Sequence, residues 1–209
     1  MATSNANICN QALIRLGIRG ALIDDLVSDQ HEEAEVFNAI FENVRDACLA
    51  AFPWPFATLR KTLNQIAAAQ EPARDGWAYV YAVPNDCLQE RKIWQTGYDP
   101  RGRRADQEDT FVIEKSSIDD SRVLLCDLPA VTLLYTARFT DSSRFHPLFV
   151  DALAWLLAAE AAPALTGKEA KEDQCRKRFW QKIQEAQVAA LNGQREDQPP
   201  TTESIAARS

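Results

Sequence analysis

Two histidines, five cysteines and a few acidic pairs are the residues of this chain whose types could support chemistry. His31 stands in "DQHEEAE", beside Glu32 and Glu33, in what reads as the acidic first turn of a helix. His146 stands between Phe145 and Pro147 at the start of another. No H-E-x-x-H, P-loop, G-x-G-x-x-G or G-x-S-x-G occurs. The cysteines are Cys9, Cys48, Cys87, Cys126 and Cys175, an odd number with no C-x-x-C. Four recur every 39 residues, but "ANICNQAL" and "RDACLAAF" read as helix while "PNDCLQER" and "VLLCDLPA" read as strand and turn, so the spacing is not a structural repeat. A cysteine–histidine dyad would have to be assembled in space, and nothing around any cysteine suggests an activated thiolate. The expectation is reduced, partly buried thiols.

Asp24-Asp25 and Asp119-Asp120 lie in turns, where a solvated role competes with one as metal or glycosidase carboxylates. Seven glycines offer little for a backbone phosphate cradle. Lys168, Lys171, Arg178 and Lys182 fall near one face of a helix. They read as a contact for nucleic acid or a neighbour's carboxylates, or as a solvated face, since Glu169, Glu172, Asp173 and Glu185 are interspersed. No catalytic residue, metal or cofactor is expected.

The elements that must position these residues change period along the chain. Ser4 can cap a helix over 5–17, with Ile8, Ala12 and Leu16 on one face and Gly17 ending it. Ser28 can cap a second helix over 29–51, with Ala34, Phe37, Phe41, Val44, Cys48 and Ala51 forming one seam. "FPWPF" stops it: Pro53 and Pro55 break the helix, and Phe52, Trp54 and Phe56 demand burial or a subunit contact. Residues 56–68 can form a further helical piece through Leu59, Leu63 and Ile66. "WAYVYAV" then alternates, and strands are expected over 77–83, 88–95, 110–115, 121–126 and 131–138. Between the second and third of these runs "TGYDPRGRRADQED" (96–109), an exposed hairpin loop.

The helical period returns over 144–165, with Asp141, Ser142 or Ser143 as cap, Pro147 in the first turn, and Phe145, Phe149, Leu153, Leu156 and Leu157 along it. A last helix over 168–192 carries Phe179, Ile183, Ala186 and Ala190, and Asn192-Gly193 ends it. Residues 194–209 bury almost nothing and read as a disordered tail. The fold class expected is α+β. Helical parts at 1–76 and 139–193 form one bundle, a small, mostly antiparallel β insertion occupies 77–138, and a flexible tail follows.

The chain has 209 residues, is 46% hydrophobic and carries a net charge of −7. Each third is slightly acidic, so no basic face for gripping phosphate backbones is evident. No apolar run is expected to span a bilayer, and the N-terminus lacks the pattern of a secretory signal.

Four segments carry a resemblance: "ICNQALIRLG" (8–17) with "IDDL" after a short turn, "RDACLAAFPWPFATLR" (45–60), "GWAYVYAVPNDCL" (76–88) and "FTDSSRFHPLFVDALAWLLAAEAAPALTG" (139–167). In order and spacing they resemble the tail tubular protein A family of short-tailed bacteriophages, the head-to-tail adaptor (gatekeeper) proteins. They cover about a third of the chain and bracket nearly all of it. The resemblance implies a structural virion protein, not an enzyme, made in the host bacterial cytoplasm. It implies a homododecameric ring below the portal, joined to a tail nozzle protein similar to tail tubular protein B and surrounding the DNA exit channel. DNA would pass through the lumen without specific binding, and no membrane would be involved. By position, Tyr98, Arg101, Arg103 and Arg104 would contact the nozzle. Pro199, Pro200, Ile205 and Arg208 would belong to a tail that docks on the portal. Phe52, Trp54 and Phe56 would serve the bundle or a subunit interface. A related head-completion or stopper protein is the nearest alternative, and a virion-associated cell-wall hydrolase a more distant one.

Overall fold

The structure, a computed structural model, describes residues 4–20, 22–67, 70–71, 76–97 and 110–196. The fold is α+β, with four α-helices and two small antiparallel sheets among the described residues. The chain divides into two compact units. One joins Met1–Phe52 to Asp141–Ser209, and the other is Pro53–Thr140.

The first unit is helical. Helix α1 (Asn5–Leu16) starts where the Ser4 side chain accepts a hydrogen bond from the Asn7 N–H, and ends at Gly17, whose φ of 85° is the left-handed conformation that glycine adopts without strain. Helix α2 (Glu32–Ala51) begins later than expected, with His31 at its N-cap. Ser28 does not cap it. Its hydroxyl and N–H both bind the Asp25 carboxylate and close the preceding turn. Glu32, Glu33 and Glu35 fill the first turn of α2, where the helix dipole favours negative charge. Asp141 caps only a short 3-10 turn, Ser142–Arg144. Helix α3 (Pro147–Thr166) starts at Pro147, with His146 Nδ1 accepting from the Leu148 N–H, and Gly167 ends it at φ 63°. Helix α4 (Glu169–Glu196) runs through Gly193 instead of stopping there.

Helix α3 organises this unit, and α1, α2 and α4 each pack on it. Eleven of its twenty residues are buried, six of them alanines that let its neighbours approach closely. Contrary to the sequence expectation, α3 is long and apolar enough to cross a membrane by length and composition. The same composition follows from its place here, because a helix covered on several sides cannot show one narrow apolar stripe.

The second unit holds strands β1 (Thr58–Thr62), β2 (Tyr79–Ala82), β3 (Cys87–Gln95), β4 (Val112–Lys115), β5 (Arg122–Cys126) and β6 (Val131–Ala137). The expected helical piece over 56–68 is instead a 3-10 turn, Pro55–Ala57, followed by β1. Thr58 and Thr62 suit a strand, and β6 offers a pairing edge that a local propensity reading cannot see. The sheets are ordered β1-β6-β3 and β2-β5-β4. The chain after β1 links them: Leu63 N–H donates to Val131 O, while Asn64 O and Ile66 N–H pair with Ala82 and Val80 of β2. Leu63, Tyr81, Leu124, Cys126, Leu133 and Tyr135 thereby share one core drawn from both sheets. Tyr81 Oη donates to Leu128 O at 2.6 Å, and Tyr135 Oη to Asp86, so neither buried phenol lacks a partner.

Candidate functional site

The groups that could do chemistry are held in structural roles. All five cysteines are free and buried. Burial pushes the thiols of Cys9 and Cys87 up to about 12 and also raises those of Cys48 and Cys175. Such thiols are poor nucleophiles. Among the described residues no three His, Cys, Asp or Glu side chains group as a metal site. Asp25 accepts from the N–H groups of Val27 and Ser28, which hold its pKa below the usual value. Asp119 accepts from the Ser121 N–H, and Asp120 pairs with Lys115. The exposed His31 ring meets Asp29, whose hydrogen bond raises the imidazole pKa.

Three polar arrangements recruit distant parts of the chain. Arg15 of α1 pairs with Asp151 of α3, donates to the Asp151 carbonyl at 2.8 Å and stacks its guanidinium 4.7 Å from the centre of the Trp155 ring. Lys182 of α4 reaches the same carboxylate at 3.2 Å, so Asp151 ties α1 and α4 to α3. In the sheet unit the buried Glu71 carboxylate accepts from Ser116 Oγ at 2.7 Å and from the Ser117 N–H at 2.9 Å, anchoring the β4–β5 turn. Arg122 donates to Glu90 at 2.8 Å and to the Cys87 carbonyl, clamping β5 to β3. Each is a cross-brace with its partners already engaged.

The aromatic segment splits between the units. Phe52 closes the first, while Trp54 and Phe56 open the second. Phe52 is buried, and Trp54 is 2% exposed. Phe56 is half-buried, with its ring edge-on to Phe139 at 5.5 Å. Thr58 Oγ1 donates to the Trp54 carbonyl at 2.7 Å, fixing the turn that starts β1. Tyr98, Arg101, Arg103 and Arg104 lie outside the described residues, as do Pro199, Pro200, Ile205 and Arg208.

The α4 cations do not form one free face. Arg176 bonds Glu160 at 3.0 Å and Glu172 at 2.8 Å, Lys182 bonds Glu185 as well as Asp151, and Arg178 bonds Gln181. What the sequence reading missed lies between them. An open groove of about 400 Å³ runs between α2 and α4, floored by Leu156 of α3 and walled by Val44, Ala47, Ala51, Phe179 and Trp180, with Asn43 and the paired Glu160 and Arg176 also in its lining. Trp180 remains 54% exposed although its ring meets Phe179 at 5.0 Å. Val188 and Leu191 extend apolar surface along α4 at 57% and 61% exposure. The signal was present: Trp180 sits one residue, about 100° of helical turn, from the Phe179 stripe, too far round to share its burial.

A second cleft in the helical unit, about 570 Å³, is lined by the start of α1, Asp24–Val27 and the face of α2 bearing Glu42 and Arg45. Arg45 is 4% exposed and bonded to Asp46, while Asn5 Oδ1 is a buried acceptor without a partner. No family model matches the chain, and no curated protein matches it.

Proposed function

We propose that this chain is a structural subunit of a head-to-tail adaptor in a short-tailed bacteriophage, acting by binding and not by catalysis. The observation that supports this best is the organisation of the chain. Its two ends supply one helical unit, and the sheet unit is inserted between them at 53–140. That arrangement agrees with the adaptor resemblance carried by residues 8–17, 45–60, 76–88 and 139–167. In this reading α1–α4 form the adaptor bundle that assembles as a dodecameric ring under the portal. The sheet unit faces the tail, with Tyr98, Arg101, Arg103 and Arg104 contacting the nozzle protein. The segment after α4, with Pro199, Pro200, Ile205 and Arg208, docks on the portal. The slightly acidic balance suits a lumen that lets DNA pass without gripping it, because strong phosphate contacts would slow its exit. The mature protein would reside in the virion after synthesis in the bacterial cytoplasm.

The test is stoichiometric mixing with a purified portal, followed by sedimentation. The expected result is a portal-bound ring that is lost when residues 197–209 are removed. A chain that stays unbound at every ratio would reject the adaptor reading.

A further inference from the structure

Each third of the sequence is slightly acidic, yet the register of the sheet β1-β6-β3 sorts its charges by face. Strand β6 runs between β1 and β3, and residues paired across it point to the same side. One side is the core side of Leu133 and Tyr135. On the other, Arg60, Leu134 and Lys92 form one row across the strands, and Thr62, Thr132 and Trp94 form the next. Arg91, in a bulge of β3, donates to Thr136 Oγ1 on this side as well. Among the described residues of these three strands no acidic side chain shares the face. Glu90 stands opposite Tyr135 on the core side, where it meets Arg122. Arg60 and Lys92 are exposed and stand two strand spacings, about 10 Å, apart.

Two groups on this face hold donors that the chain itself does not use. The Arg60 guanidinium lies 5.8 Å from the centre of the Trp94 ring and has no hydrogen bond or ion pair among the described residues. The ring holds the cation without neutralising it. Thr62 Oγ1 and Thr96 Oγ1 lie 3.5 Å and 3.1 Å from Thr132 Oγ1. The three hydroxyls carry one proton each and share two bonds, so one O–H is left to donate outward. We propose that this face of β1-β6-β3 binds the phosphate backbone of nucleic acid without reading its sequence. Guanidinium, ammonium and hydroxyl groups are the ones that hold backbone phosphate oxygens. An acidic protein partner fits less well. Leu134 is half-buried and Trp94 only 9% exposed, so the face lacks the apolar centre of a protein interface. A single phosphate would engage one end of the row from Arg60 to Lys92, whereas a backbone meets both. With two exposed cations and the half-buried Arg91, the contact is weak at physiological salt, so it guides a nucleic acid without gripping it. The surface stands without the adaptor reading, which supplies only the DNA that would pass it.

The test is fluorescence anisotropy of a short labelled DNA duplex mixed with the full chain over a series of salt concentrations. Two to three neutralised phosphates mean that affinity falls about 12- to 40-fold between roughly 50 and 200 mM salt. Arg60→Gln and Lys92→Gln should each weaken binding about tenfold at the low-salt end and flatten the salt dependence by one phosphate contact. Both sites are exposed, so unchanged melting is expected. Thr132→Val keeps the branched shape but removes the middle hydroxyl, and should weaken binding without changing the salt slope. Lys115→Gln, on the other sheet, should change nothing. No binding up to about 100 µM protein at low salt, or binding that survives Arg60→Glu combined with Lys92→Glu, would overturn the proposal. Inorganic phosphate that displaces the duplex at a matching phosphate concentration would overturn it in favour of a single-anion site. Polyglutamate that displaces the duplex equally well would overturn it in favour of an acidic protein. Portal binding should survive these substitutions. Loss of the DNA contact therefore leaves the adaptor reading standing, and a chain that binds DNA but no portal loses the adaptor reading alone.

Discussion

Replacing Trp54 and Trp180 by alanine separates a core role from a surface role. Trp54 is 2% exposed and follows the break between the two units, with its carbonyl tied to Thr58 and Ala57. Truncating a buried tryptophan costs about 3–5 kcal/mol, the lost transfer energy plus the cavity left behind. At a urea m-value of about 2 kcal/mol/M, that lowers the unfolding midpoint by roughly 1.5–2.5 M. Trp180 is 54% exposed and loses chiefly its contact with Phe179, so Trp180→Ala should cost about 1 kcal/mol or less. The assay is urea unfolding followed by circular dichroism. Trp54→Ala should move the midpoint far more than Trp180→Ala. A Trp54 variant within about 1 kcal/mol of wild type would show that its burial does not report a packed core position, and the argument from burial would fail.

The remaining predictions follow from titration and burial. A thiol reagent at pH 8 should label none of the five cysteines in the folded protein and all five in denaturant, since burial places Cys9 and Cys87 near 12; rapid labelling of the native protein would contradict the burial. The His31 imidazole should titrate above its ordinary value because of the Asp29 hydrogen bond, and Asp29→Asn should bring it back down. A raised folded pKa means that the contribution of this pair to stability is fully present below the unfolded value of 6.5 and fades as pH rises through the folded pKa. An NMR titration of the ring in both variants checks the direction.

The parts of the fold legible in the sequence were those where local rules and tertiary demands agree. Gly17 ends α1 with a positive φ, and the strands expected over 77–83 and 131–138 match β2 and β6 within two residues. Misreadings came where a tertiary partner decides. Leu59, Leu63 and Ile66 have helical spacing, yet hydrogen bonds to Val131 and Val80 draw this segment into strands. Ser28 looks like a cap but spends its donors on Asp25, and helix α2 starts at Glu32. Gly193 looks like a stop, but α4 continues to Glu196. The groove was illegible for a different reason. Ala47 and Ala51 on α2 and Phe179 on α4 each suit a buried stripe, and only their placement on either side of Leu156 shows that the space between them is open.

That opening bears on how the units divide their work. The sheet unit closes its own core, with Tyr81, Leu124, Leu133 and Tyr135 all at 1% exposure or less. The helical unit is equally closed along α3 and, as the sheet unit does at Leu59 and Ile118, leaves apolar side chains in water, here half of Trp180 with Val188 and Leu191 of α4. Exposed apolar surface next to a concave apolar site is costly for a molecule that remains alone and useful for one that meets copies of itself. Arg15, Asp151 and Lys182 hold α1 and α4 against α3, so the groove wall is braced from behind by charges that take no part in lining it. A braced groove keeps its shape while empty, which lowers the ordering cost of filling it. Asp151→Ala should therefore lower the urea midpoint by loosening α1 and α4 from α3, although Asp151 lies outside the groove.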